Sequence, residues 1–68
     1  MDPRDIFELI VRADEKLKYA TSGKDDLRRR QARVLLLEAR EAAMGIGNEA
    51  LVQQAETRLE DLEREAPA

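Results

Sequence analysis

The chain has 68 residues, a net charge of −3, and charged side chains at 40% of its positions. It holds no cysteine and no histidine, so it forms no disulfide or thiolate site and lacks the commonest general base and metal ligand. The acidic balance disfavours a general nucleic-acid binder, which needs a basic surplus to neutralise phosphates, and no apolar run approaches the roughly 20 residues that span a bilayer.

A chain of this size makes one domain. Its Ala, Leu, Glu and Arg content, arranged at helical spacing, implies a bundle or long-helix protein. So small a domain reaches stability through tight helix packing or self-association. Two glycine breaks divide it: Thr21-Ser22-Gly23-Lys24 and Gly45-Ile46-Gly47-Asn48. They leave three helical segments of similar length.

The first helix is expected over about residues 3–20. Asp2 suits the N-cap, Pro3 the first helical position, and Asp5 complements the positive end of the helix dipole. Ile6, Ile10, Ala13, Leu17 and Ala20 follow alternating steps of four and three and so fall in one stripe, flanked by Leu9 and Phe7. Val11 and Tyr19 point away from it.

The second helix is expected over about residues 25–44. Ser22 and Asp25 have capping-box spacing. Ala32, Leu35, Leu36, Ala39, Ala42 and Ala43 make its main stripe. Leu27, Val34, Leu37 and Met44 lie outside that stripe, and the apolar surface is too wide for one neighbour. This helix is therefore expected at the centre, with its small alanines admitting close approach. The third helix is expected over about residues 49–65, with Asn48 as N-cap and Leu51, Val52, Ala55, Leu59, Leu62 and Ala66 as its stripe. Pro67 cannot continue it. Connections of three to four residues make consecutive helices antiparallel. The expected fold is an all-α, antiparallel up-down-up three-helix bundle spanning residues 1–68.

Positive charge gathers at Lys16, Lys18, Lys24, Arg28, Arg29, Arg30 and Arg33, and negative charge at Glu56, Glu60, Asp61, Glu63 and Glu65. If the second and third helices are antiparallel, these clusters face one another and help to fix the register. Each exposed pair contributes roughly 0–1 kcal/mol. The alternative makes Lys24, Arg28, Arg29, Arg30 and Arg33 a basic patch for phosphate, serving an accessory protein associated with nucleic acid. With Phe7 and Tyr19 the only aromatic residues, the patch lacks the interleaved rings that stack bases. Asp14–Lys18 and Glu60–Arg64, four apart, read as local helix-surface pairs.

Nothing here resembles catalytic machinery. Tyr19, Thr21, Ser22 and Thr57 carry hydroxyls, but no histidine can activate them. Glu56, Glu60 and Glu63 read as a solvated face rather than a cation site. Gly45-Ile46-Gly47 lacks the spacing, preceding strand and lysine of a phosphate loop and reads as a helix-terminating turn. The expectation is no enzyme, no catalytic or metal-binding residue and no cofactor. The N-terminus shows neither the basic start nor the apolar stretch of a signal peptide, so a soluble, cytoplasmic protein is expected.

The pattern Ala32, Leu36, Ala39, then Gly47-Asn48, then Leu51, Ala55, Leu59 resembles part of a tetratricopeptide-type helical repeat (TPR-like). The tryptophan-containing start of that repeat is missing, and the helices here are longer. A second resemblance, carried by Ala32 and Ala39, is to the microtubule-interacting-and-transport domain, a three-helix unit that holds partner helices in a groove between its own. Either resemblance implies protein or peptide binding without catalysis. The apolar residues left over from the three stripes, Phe7, Val11, Leu27, Val34, Leu37 and Met44, form the expected interaction surface. The partner is a protein or peptide, with a homo-oligomer among the options, rather than nucleic acid or membrane.

Overall fold

The structure, a computed structural model, describes residues 1–18 and 25–65, with Asp25 and Glu65 described by backbone alone. The expectations placed on Tyr19, Ala20, the Ser22–Asp25 box, Lys24 and Ala66 lie outside the described residues. Three helices follow in order: α1 (Pro3–Lys18), α2 (Asp25–Gly45) and α3 (Glu49–Glu65). There is no strand among the described residues.

Local chemistry starts each described terminus. Asp2 caps α1: its carbonyl accepts the Ile6 amide at 3.0 Å, and its side chain lies 3.4 Å from the Arg4 amide. Pro3 occupies the first helical position, where a missing N–H costs nothing. Between α2 and α3 the chain turns within three residues. Gly47 takes φ +70°, a left-handed conformation that side chains resist. The Gly47 amide donates to the Met44 carbonyl at 3.1 Å and the Asn48 amide to the Ala43 carbonyl at 2.9 Å. This is a Schellman ending of α2. Asn48 then serves α3 as well. Its side-chain oxygen accepts the Leu51 amide at 3.2 Å and its carbonyl the Val52 amide at 3.1 Å.

α2 ends at Gly45, within a residue of the expected end near Met44. Only Gly47 needs glycine geometry, so the break is shorter than two glycines suggest.

α2 is the central element. α1 packs against it, α3 packs against it, and α1 and α3 meet over a narrower front. Ile6, Ile10 and Ala13 of α1, Ala32, Leu36, Ala39 and Ala43 of α2, and Leu51, Ala55 and Leu62 of α3 form the buried core. Leu9, Leu17, Leu35, Ala42, Val52 and Leu59 pack around it. Among the described residues, no polar or charged residue is buried as a whole. The molecule measures 37 × 20 × 13 Å, and the 21 residues of α2 extend about 31 Å at 1.5 Å per residue.

An ion pair ties α1 to α3. Arg58 Nε donates to both carboxylate oxygens of Asp14, at 2.8 and 3.1 Å, while Nη1 donates to the Gln54 carbonyl at 3.1 Å. Asp14 thus reaches across the fold. At the end of α3, Arg64 meets Asp61 at 3.9 Å rather than Glu60.

The glycines give a test with opposite signs. A Cβ at either position meets nothing within 4 Å, so backbone conformation alone decides. Gly45→Ala should raise unfolding free energy by about 0.5 kcal/mol, and Gly47→Ala should lower it by about 1 kcal/mol, in urea titrations followed by circular dichroism. The core gives a second test. Leu36→Ala should cost about 2–5 kcal/mol, much of the roughly 3–10 kcal/mol available to a domain of this size, and so leave a population unfolded without denaturant.

Candidate interaction surface

α2 carries four strips of different chemistry, because residues seven apart nearly superimpose around a helix. Ala32, Leu36, Ala39 and Ala43 face inward. Arg28 and Leu35 turn toward α1, where they line a shallow groove with Arg12, Glu15 and Lys16. Arg29, Arg33 and Arg40 turn toward α3. Leu27 and Val34 look outward, away from both neighbours.

The six apolar residues expected at an interaction surface separate into two places. Leu27, Val34 and Met44 are 57%, 63% and 59% exposed, although α2 contacts two helices. The centre of the fold therefore leaves an apolar face in water. Leu37 is half-buried at the lip of the α2–α3 groove, one helical turn from Val34. Phe7 and Val11 are also exposed, but on α1. They share a line with Pro3 and Asp14, at steps of four, four and three. Pro3 lies beside Ile46, Asn48 and Glu49, and Asp14 is bonded to Arg58. Phe7 and Val11 therefore border the front between α1 and α3, remote from the outer face of α2. The sequence did not single out Met1 or Ile46, yet both are exposed. Their signal was weak because neither belongs to a helical stripe.

The basic cluster is divided by the same geometry. Lys24 lies outside the described residues. Arg28 sits on the α1 side. Arg29, Arg30 and Arg33 line a groove on the α3 side with Asp26, Leu59, Leu62 and Glu63. Arg29 Nη2 donates to the Leu62 carbonyl at 3.5 Å. Farther along, Arg33, Leu37 and Arg40 share a groove with Glu56, Glu60 and Glu63. The basic start of α2 thus runs beside the acidic end of α3, as antiparallel packing requires. Much of the positive field is balanced within the molecule. Arg40 was not among the expected residues, although it lies one heptad beyond Arg33. Its Nε is buried without a hydrogen-bond partner.

These surfaces are grooves and ridges. They are open to solvent and present both charge and apolar area. No described helix is long and apolar enough to cross a membrane. Compared with known proteins, the chain shows no significant match to any family model, any curated protein or any solved structure.

Proposed function

We propose that this chain is a small, non-catalytic helical module that binds proteins or peptides through exposed apolar residues, self-association included. One observation carries the reading. Leu27, Val34 and Met44 remain more than half exposed on the helix that organises the fold. Apolar side chains in water contribute nothing to folding there, and grouped on one face they suit a contact surface. Phe7 and Val11 give α1 a second, smaller apolar edge. The resemblance of Ala32, Leu36, Ala39, Leu51, Ala55 and Leu59 to TPR-like repeats agrees with a binding role. A cytoplasmic setting belongs to the proposal.

The two faces can be tested separately. Val34→Glu alters the outer face of α2, and Val11→Lys alters the edge of α1. Both residues are exposed, so circular dichroism and melting should show unfolding free energies within about 0.5 kcal/mol of the parent. Chemical crosslinking in the native host should then lose specific adducts for Val34→Glu. An unchanged adduct pattern for both variants, with unchanged mass in solution, overturns the reading.

A further inference from the structure

We propose that the outer face of α2 pairs with the same face of a second copy of this chain, antiparallel and in one register. The inference rests on the reading of that face as a contact surface and goes further by naming its occupant. Leu27, Arg30, Val34, Leu37, Glu41 and Met44 are spaced alternately by three and four. That is the seam spacing of a two-helix coiled coil. The seam lies opposite the core residues Ala32 and Ala39: Leu27, Val34 and Glu41 form its open edge, while Arg30, Leu37 and Met44 border the grooves toward α3. Arg30 and Glu41 are exposed along with Leu27, Val34 and Met44, and Leu37 is half-buried at the edge.

The order of these six residues is complementary to its own reverse. Turn a second α2 end for end about the point between Leu35 and Leu36. Leu27 then meets Met44, Val34 meets Leu37, and Arg30 meets Glu41, each contact occurring twice. Among these six, each apolar side chain faces an apolar one and the guanidinium of Arg30 faces the carboxylate of Glu41. A two-fold contact demands this kind of self-complementarity.

Other arrangements of the same face fail on charge. Parallel, in-register pairing sets Arg30 against Arg30 and Glu41 against Glu41. Sliding the antiparallel pair by one heptad sets Arg30 against Val34 in one direction, or Glu41 against Leu37 in the other. The charges therefore select both orientation and register, as polar seam residues do in coiled coils. On one flank Gln31 approaches Glu38 of the second copy. On the other Arg33 approaches Arg40, a like-charge contact that the neighbouring Glu56, Glu60 and Glu63 offset. One helix pair makes a small interface, so the dimer is weak and reversible.

Sedimentation equilibrium from about 10 µM to about 1 mM should show a monomer–dimer equilibrium that shifts by mass action. Arg30→Glu and Glu41→Arg should each weaken it about tenfold or more, and the double variant should recover to within about threefold of the parent, the charge pairs being exchanged rather than lost. Orientation is read separately by disulfide trapping, which the cysteine-free parent permits. Mixed Leu27→Cys and Met44→Cys chains should crosslink to each other. Leu27→Cys alone should not, because its two copies sit about 25 Å apart along the antiparallel pair. A strict monomer at the highest concentration overturns the proposal, while leaving other protein partners for the α2 face. A dimer abolished by Val34→Glu but indifferent to the charge variants overturns the register while the contact face stands. A dimer indifferent to Val34→Glu overturns both.

Discussion

The buried part of α2 is a strip on which three of the four residues are alanine: Ala32, Ala39 and Ala43, with Leu36 between. Small side chains let neighbouring backbones approach closely, and interaxial distance follows the side chains at the contact. The dispersion gained depends on that closeness, since contact energy falls steeply across even a narrow gap. The large, fully buried side chains are few: Ile6 and Ile10 from α1 and Leu36 from α2. The core is thus made of near approach rather than bulk. Enlarging an alanine on this strip would push a neighbouring helix outward.

This constraint explains how the remaining surface of α2 is allotted. With one narrow strip serving both neighbours, α1 and α3 crowd onto the same side of the helix. Its flanks become grooves lined by long charged side chains, and its back is left open. The apolar residues on that back are the part of the helix that a three-helix arrangement does not use. The ion pair between Arg58 and Asp14 marks the opposite side, where α1 and α3 close on each other.

The core was legible from spacing alone. Ile6, Ile10 and Ala13, then Ala32, Leu36, Ala39 and Ala43, then Leu51, Ala55 and Leu62 all lie on stripes that helical periodicity predicts, because burial in a bundle repeats with the helical turn. The exposed apolar set was legible for the converse reason: Leu27 and Val34 fall off the stripe of their own helix. What spacing could not reveal was anything joining distant segments. Asp14 bonds Arg58 across 44 positions, a partner that spacing along one helix cannot name. The basic residues looked like one patch because they are adjacent in sequence. On a helix, each step turns about 100°, and Arg28 and Arg29 consequently serve different grooves. Gly45 looked like part of a break, yet a glycine at the end of a helix can keep helical geometry.

Asn48 closes the amide ladder of α2 and opens that of α3 in the same residue. That corner has no slack. An inserted residue would separate the two tasks and rotate α3 by about 100°, carrying Leu51, Ala55 and Leu62 off the alanine strip. A deletion would swing them the other way. Substitutions at the corner trade fractions of the folding energy, whereas a change in its length alters which side of α3 is dry. Lineages of this chain should therefore vary in letters at this turn while holding their count fixed.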